Sequence, residues 1–303
     1  ARLPAEEAGR MELVVVNNGS SEEETGALVG YLQANTFPFP VKYVESGTNL
    51  PLGYARNLGA SVSSGDFLGW LDPDDAVLPG RVSCALEILS ATGGSGIVHA
   101  NAWVRDIFGT HTLYDSGGPA TYERLQKGCC VSCQSTLMPT WLYFALGGQR
   151  DLRAAEDYDL WLTAAAFGVR FIHIPAPVYI AVQHEQQKTR RDMKEREVWA
   201  ACHDNARLVS EQIRKEKIPL LSLSGPLATM PYNDLPIGET SYLPNEKRSP
   251  VSVVFPHGVP ALYPYSIGGL LLRAWRELRA QNKHKGSVSV DDANIEFRNS
   301  CNW

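Results

Sequence analysis

The stretch from Gly53 to Asp75, GYARNLGASVSSGDFLGWLDPDD, decides the fold class of this sequence. Its first part, Gly53 to Ser63, has small residues on one face of a predicted helix, and the apolar run Asp66 to Leu71 is typical of a buried strand. The strand ends in the acidic turn Asp72 to Asp75. Helices that alternate with buried strands predict an α/β fold with a mostly parallel sheet, in which ligands collect at the carboxyl ends of the strands.

The same alternation extends to both sides of this stretch. Met11 to Val16 (MELVVV) is a second apolar, β-branched run, and it ends in the turn sequence Asn17-Asn18-Gly19-Ser20. A helix should follow that turn because the next residues are acidic. The patterns further predict strands at Val41 to Glu45, Gly96 to Trp103, Val131 to Met138 and Phe171 to Val182, and a helix at Glu156 to Phe167.

The character of the chain changes after residue 185. Lys188 to Lys217 is charge-rich with apolar residues at helical spacing, which favours a solvated packing helix over a partner-binding one. Ile218 to Pro250 is a connector rich in Pro, Gly and Ser, and Val251 to Phe255 is again an apolar strand. Ser266 to Ala280 is predicted to be an amphipathic helix. We therefore expect a core at 1–185, a helix and connector at 186–248, and a strand-helix segment with a polar tail at 249–303.

The composition of the 303 residues limits the possible functions. A net charge of −5 offers no basic field that would hold a nucleic acid or an anionic membrane by electrostatics alone. No apolar stretch approaches the roughly 20 residues of a membrane span. Cys129, Cys130 and Cys133 lack a second pair of zinc ligands, which favours half-buried thiols. With no disulfide framework and no secretory signal ahead of the first polar residues, we expect a reducing, cytoplasmic compartment.

Two acidic clusters are candidates for the chemistry. Asp72, Asp74 and Asp75 could bind magnesium or manganese through hard oxygen ligands, or could simply form a solvated turn. Glu156 and Asp157 begin a predicted helix, where carboxylates can merely complement the helix dipole. Two neighbouring acids also repel each other, and the repulsion can raise one pKa toward that of a general base.

Taken together, these motifs resemble the inverting glycosyltransferases of family 2. The resemblance rests on Gly53 to Asp75, on EDYDLWL at Glu156 to Leu162, on Leu146-Gly147-Gly148 and on VVVNNGS at Val14 to Ser20. It implies a GT-A fold, which is a Rossmann-like, mostly parallel central sheet flanked by helices. Met138 to Trp141, together with Gly53-Tyr54-Ala55, is also weakly similar to a eukaryotic β-1,3-N-acetylglucosaminyltransferase-like branch.

The resemblance also implies a role for individual residues. Asp157 would be the catalytic base, and Glu156 would orient the base or the acceptor. The implied metal site for Mn²⁺ or Mg²⁺ contains Asp74, Asp72 and His184, and the implied nucleotide contacts are Asn17, Asn18, Arg56 and Asp72. The implied donor is a nucleotide-sugar, specifically a UDP-sugar. The sugar would be a hexose or N-acetylhexosamine, and the acceptor a hydroxyl of a glycan, glycolipid or protein.

The sequence departs from the family pattern in two places. Asn17-Asn18 stands where the family usually has at least one aspartate. The first strand and helix of the family are missing before Met11, but Ser249 to Gln281 is similar to them. We therefore expect a circular permutation that pairs Val251 to Phe255 beside Met11 to Val16 and brings Pro256 and His257 to the nucleotide. The alternative is a second, truncated domain or an unrelated appendage.

Two other functions compete with an active glycosyltransferase. A catalytically inactive GT-A binding or scaffold protein is favoured by Asn17-Asn18 and by the unusual chain order. A nucleotidyltransferase would also handle sugar nucleotides, but its Gly-rich phosphate loop with a following basic residue is missing from the sequence.

Overall fold

The structure is a computed structural model that describes residues 8–185, 187, 196–217, 220, 240–243 and 251–254. The last two segments are described by their backbone alone. Three sequence predictions therefore lie outside the described residues: the helix Ser266 to Ala280, and the nucleotide contacts of Pro256 and His257. Within the described part, no helix is both long enough and apolar enough to cross a bilayer.

The first half of the core is a β-α-β-α unit, as the sequence predicts. It comprises β1 (Leu13–Asn17), α1 (Glu22–Ala34), β2 (Val41–Glu45) and α2 (Leu52–Val62). The two strands pair in parallel. This direction brings the polar turn after β1 and the loop after β2 to the same edge of the sheet.

Local sequence explains where these helices begin and what they bury. Ser21 caps α1 in a capping box with Glu24, which satisfies free backbone N–H groups at the helix start. The strand β2 alternates between two clusters: Val41 and Tyr43 pack toward α1, whereas Val44 packs with Leu58 of α2.

The second half of the core contains a four-stranded sheet with the order β4-β8-β5-β6. β5 and β8 pair in parallel, whereas β4 and β6 are antiparallel to their neighbours. The elements are β3 (Phe67–Leu68), β4 (Ala76–Val77), α3 (Arg81–Ala91), β5 (Ile97–Arg105), β6 (His111–Tyr114), α4 (Tyr122–Lys127), β7 (Met138–Pro139), α5 (Thr140–Ala145), α6 (Glu156–Ala166) and β8 (Phe171–Val182).

Two predicted strands are wrong in extent. The strand expected at Asp66 to Leu71 is confined to β3, which pairs antiparallel with β7. The strand expected at Val131 to Met138 is mostly irregular and includes a 3₁₀ turn at Cys133–Ser135. The Ser135 and Thr136 hydroxyls donate to nearby backbone carbonyls. Such local bonds compete with a strand ladder, and the apolar pattern gave no sign of them.

A long charged helix, α7 (Arg196–Glu216), packs against α6. The His203 ring lies between Trp199 and Tyr158, with centroid distances of 3.6 and 4.3 Å. Ala206 is fully buried in the main core. The helix thus packs on the domain along one face, as a solvated packing helix would.

Two further strands, β9 (Thr240–Leu243) and β10 (Val251–Val254), extend the first sheet to the order β1-β2-β10-β9. The expected partner of Val251 to Phe255 was the strand at Met11 to Val16. The structure instead pairs β10 in parallel with β2, on the side away from β1. That neighbour was therefore wrong, although the segment does join the expected sheet. The circular permutation and the three-part division of the chain stay predictions.

A buried histidine makes the stability of the core sensitive to acid. His99 is 0% exposed, and its Nε2 accepts a hydrogen bond from the Ala120 N–H. Burial, with a smaller contribution from His173, lowers the pKa of His99 to about 3. In the unfolded chain the pKa is about 6.5. The contribution of neutral His99 to stability is therefore complete above pH 6.5 and is lost as the pH falls from 6.5 toward 3.

We predict that His99→Gln makes the free energy of unfolding less dependent on pH. Below pH 6.5, His99 should lower the wild-type value by up to about 1.4 kcal/mol per pH unit relative to the variant. Urea unfolding at pH 7, 6 and 5 measures this difference. The exposed His111→Gln is the control, and parallel pH curves for wild type and His99→Gln would contradict the prediction.

Candidate active site

Three carboxylates converge in the loop that follows β3. One oxygen each of Asp72, Asp74 and Asp75 lies within 4.8 Å of the others. The backbone N–H of Val182 at the end of β8 donates to Asp75 Oδ1 over 3.0 Å, which fixes the position of that carboxylate. Burial raises the pKa of Asp75 to about 6, and the negative charges of Asp74 and Asp72 add to the shift. Ionisation of Asp75 is therefore less favourable than for an ordinary aspartate, and a nearby cation would favour it.

The donor atoms of this cluster fit a hard divalent ion, because magnesium and manganese prefer carboxylate oxygens. The structure brings together Asp72 and Asp74, the two aspartates that the sequence proposed as ligands. Asp75 joins them, which the resemblance did not indicate. His184 Nε2 lies 2.8 Å from Asp74 Oδ2 but is not a member of the three-residue group.

The second acidic cluster begins α6, as the sequence predicts. Ala155, which precedes the helix, has a φ of 62°, in the left-handed region that non-glycine residues seldom adopt. Glu156 is 5% exposed. Burial and the neighbouring Glu156 raise the pKa of Asp157 to about 6, while Arg56 acts in the opposite direction. Strained backbone and a displaced pKa are both common at functional sites.

Arg56 links the two acidic clusters. From α2, its guanidinium donates to Asp72 Oδ1 over 3.1 Å and to Glu156 Oε1 over 3.2 Å. The Arg56 side chain is 9% exposed. Burial alone would lower the pKa of Arg56, but the nearby Cys133 and the acidic side chains raise it above its usual range. Arg56 therefore stays charged and holds the ends of two distant segments in one site.

Two glutamines complete this network, and sequence reasoning missed both. Gln134 Nε2 donates to the second oxygen of Asp72. Gln149 Oε1 accepts from Arg56 over 3.4 Å, and its amide also contacts Cys133 Sγ at 3.9 Å. Gln134 lies in the 3₁₀ turn Cys133–Ser135 and Gln149 directly follows Leu146-Gly147-Gly148, but neither glutamine was itself part of a motif that sequence reasoning used.

The glycine pair at Gly147-Gly148 shapes the loop that carries Gln149. Gly148 has a φ of 68°, and a Cβ atom there would lie 2.5 Å from Asn57 Oδ1. Asn57 in turn donates to the Gln149 carbonyl over 2.7 Å and accepts from its N–H over 2.9 Å. Only glycine fits this close approach, so the loop is fastened directly to α2.

At the end of β1, the side chains of the two asparagines form hydrogen bonds within the protein. Asn17 Nδ2 donates to Thr25 Oγ1 and to the Tyr43 hydroxyl, at 2.8 and 2.9 Å. Asn18 Nδ2 donates to the Leu50 carbonyl over 2.8 Å, and its Oδ1 accepts from the Leu50 N–H over 2.9 Å. Both side chains thus stabilise the loops at this edge, and their contact with a nucleotide stays a prediction.

The three clustered cysteines behave as thiols. Burial raises the pKa of Cys133 to about 12, and it also raises the pKa values of Cys129 and Cys130. Among the described residues, the one group of three or more potential metal ligands is the aspartate cluster. Cys129 is exposed, Cys130 is partly buried and Cys133 is buried, and the interpretation as half-buried thiols stays a prediction.

Sequence comparison finds a family that matches the segment with the aspartate cluster. Residues 3–127, less than half of the chain, match the family described as Glycosyl transferase family 2. With the parallel β1-α1-β2 unit and the flanking helices, the match confirms the expected GT-A α/β fold. It also supports the expectation of a transferase enzyme.

Two curated bacterial proteins are similar over the same region. The first is "Putative glycosyltransferase EpsE" of Bacillus subtilis (strain 168), 26% identical over 183 residues, or 59% of this chain and 64% of the relative. The second is "Uncharacterized glycosyltransferase" of Haemophilus influenzae, 28% identical over 165 residues, or 53% of this chain and 54% of the relative. The chain thus spans less than two thirds of either relative.

Among solved structures, the chain is similar to S. aureus TarS. One TarS structure aligns with a TM-score of 0.47 at 16% identity, over 59% of this chain and 33% of TarS. A structure of TarS 1-349 in complex with UDP aligns with a TM-score of 0.40 at 16% identity, over 57% of this chain and 60% of that one.

We predict that Arg56→Ala lowers the free energy of unfolding by about 3 kcal/mol, because it removes the buried positive charge that pairs with Glu156 and Asp72. Arg56→Lys should recover little of the lost stability, because one ammonium group cannot donate to Asp72 and Glu156 in the fixed geometry of a guanidinium. Urea unfolding at pH 7 measures both variants. The exposed Arg10→Ala is the control, and an Arg56→Ala protein as stable as that control would contradict the bridge.

Proposed function

We propose that the chain is a metal-dependent, inverting glycosyltransferase that moves a sugar from a nucleotide-sugar to an acceptor hydroxyl. One observation carries this proposal: Arg56 holds a carboxylate cluster suited to a divalent cation in the same site as Asp157, whose pKa is raised to about 6. The family match at residues 3–127 supports the reaction class.

The donor side of the site is the aspartate cluster. Asp72, Asp74 and Asp75 would hold Mn²⁺ or Mg²⁺, and the cation would offset the negative charge that develops on the departing nucleoside diphosphate. Arg56 and Gln134 hold both oxygens of Asp72 in place. His184, which contacts Asp74, lies beside the cluster, where a diphosphate would be bound.

Asp157 is the proposed general base. With a pKa of about 6 it is mostly ionised at pH 7, yet it is more basic than an ordinary aspartate. It accepts the proton of the acceptor hydroxyl while that oxygen forms a bond to the anomeric carbon. The bond from this carbon to the diphosphate oxygen breaks on the opposite face, so the configuration inverts. Glu156, held by Arg56, positions the helix end that carries the base.

The resemblance stated above supports the finer assignments. We propose a UDP-sugar donor carrying a hexose or N-acetylhexosamine, and an acceptor that is a glycan, a glycolipid or a protein. The weak similarity to the β-1,3-N-acetylglucosaminyltransferase-like branch supports the second sugar class. A cytoplasmic location stays a prediction from the cysteine pattern.

A catalytically inactive binding or scaffold protein remains the second candidate. It is favoured by one observation, namely that the Asn17 and Asn18 amides are already bonded within the protein where the family usually has an acid. The two candidates differ in turnover. Both can bind a nucleotide, but the scaffold protein would release no UDP from a donor in the presence of acceptors.

We predict that the chain binds UDP more tightly with Mn²⁺ than without it, and that Asp74→Ala removes the difference. The reason is that Asp74 supplies an oxygen to the cation that would lie between the protein and the diphosphate. Isothermal titration with and without Mn²⁺ measures the effect. Asp204→Ala, on the exposed face of α7, is the control. Metal-independent binding, or no binding, would count against the donor site.

We further predict that Asp157→Asn lowers turnover by about 100-fold or more while UDP binding is kept, because an amide cannot accept the acceptor proton. For the intact enzyme, kcat/KM should fall about tenfold per pH unit below about pH 6, where Asp157 becomes protonated. Steady-state UDP release across pH 5 to 8 measures both effects. If Asp157→Asn kept full activity, another residue would be the base.

A further inference from the structure

The hairpin between β5 and β6 ends in two exposed apolar side chains. Ile107 is 47% exposed and Phe108 is 86% exposed, the highest value given for any large apolar residue of the described chain. Leu113 and Tyr114, at the far end of β6, are also exposed, at 45% and 37%. Turn tips are normally polar, so this apolar tip, Ile107 and Phe108, calls for a binding partner.

Hydrogen bonds hold the tip in one conformation. The Asp106 carboxylate accepts from the N–H groups of Phe108 and Thr110, over 2.9 and 2.8 Å. The Asp106 N–H donates to the Thr110 carbonyl over 2.9 Å, and Gly109 has the positive φ of 86° that such a turn requires. The apolar tip is therefore displayed by a rigid turn, which lowers the entropy lost on binding.

The β5–β6 hairpin extends from the same end of the sheet as the aspartate cluster. The Arg105 carbonyl, at the base of the tip, accepts a hydrogen bond from the Gln183 N–H over 2.8 Å. The next residue, His184, contacts Asp74. The apolar tip is thus continuous with the rim of the proposed donor site rather than on a remote face.

Size and charge favour a lipid bilayer as the occupant. A protein partner usually covers roughly 800 Å² on each side, far more than two side chains at a turn. Binding to a bilayer interface, in contrast, increases with the apolar area that is buried and with the attraction of basic residues to anionic lipids, so a small apolar contact can contribute. Arg105 and His111 face each other across the strands directly behind the tip, and both are exposed. Neither forms an ion pair with another described residue.

We propose that the apolar tip inserts into the surface of a bilayer that contains anionic lipids, with Arg105 at the level of the headgroups. With a net charge of −5, the chain as a whole is not attracted to such lipids, so binding depends on the tip. For catalysis, and resting on the proposed function, this contact would bring acceptor hydroxyls carried by membrane lipids to the rim of the site.

The test is co-sedimentation of the full chain with phosphatidylcholine vesicles that contain phosphatidylglycerol. We expect binding by the intact chain and a loss of about tenfold or more in Ile107→Ser/Phe108→Ser. The matched control is Tyr31→Ser/Leu208→Ser, which removes two other exposed apolar residues, at 59% and 64%, from other surfaces and should bind as the intact chain does. Arg105→Gln should weaken the dependence on the anionic lipid.

A second variant, Phe108→Trp, tests whether the tip inserts into the bilayer while it keeps an apolar aromatic side chain at this position. Phe108→Trp should show additional fluorescence quenching on vesicles made with brominated lipids, whereas Leu208→Trp should not. No vesicle binding by the intact chain, equal binding by the tip variant, or equal quenching in the two tryptophan variants would overturn the proposal. UDP titration of the tip variant should match that of the intact chain, which separates this outcome from a failure of the proposed function.

Discussion

A single buried guanidinium organises the candidate site. Arg56 reaches from α2 to Asp72, 16 residues away in the chain, and to Glu156, 100 residues away. A buried positive charge is unfavourable unless it is paired and hydrogen-bonded, and here three acceptors surround it. The loops on both sides must therefore place their acceptor atoms within hydrogen-bonding distance of the Arg56 guanidinium. This requirement explains several local features of the site.

Several otherwise unusual features follow from that requirement. Gly148 allows the loop to approach Asn57 closely enough to place Gln149 against the guanidinium. Ala155 accepts a left-handed conformation just before α6, which begins with Glu156 buried and Asp157 beside it. Behind this helix, α7 stacks His203 on Tyr158. The acidic residues are thus held by packing on one side and by Arg56 on the other.

The electrostatic consequence is a site with more negative charge than one arginine can neutralise. Asp75 and Asp157 both have raised pKa values, although each lies near positive or polar groups. For the aspartate cluster, a divalent cation would offset the repulsion. For Asp157, burial and the neighbouring Glu156 raise the pKa toward that of a general base.

The sequence predicted the parts of this arrangement that depend on local patterns. The alternation of apolar runs gave β1, β2, α2, α6 and β8, and the acidic motifs identified Asp72, Asp74, Glu156 and Asp157. It could not predict partners that meet only in three dimensions, such as Gln134 and Gln149. It also overestimated the strand at Val131 to Met138, where hydroxyl groups bond to the nearby backbone, and it gave β10 the wrong neighbour.

The central claim is that the two acidic clusters form one metal and nucleotide site around Arg56. Anomalous diffraction at the manganese edge, from crystals of the chain grown with UDP and Mn²⁺, tests it directly. The account predicts a manganese ion coordinated by Asp74 and Asp72, with the diphosphate bound to the ion and facing Asp157. A manganese ion away from these aspartates, or UDP bound elsewhere on the chain, would contradict it.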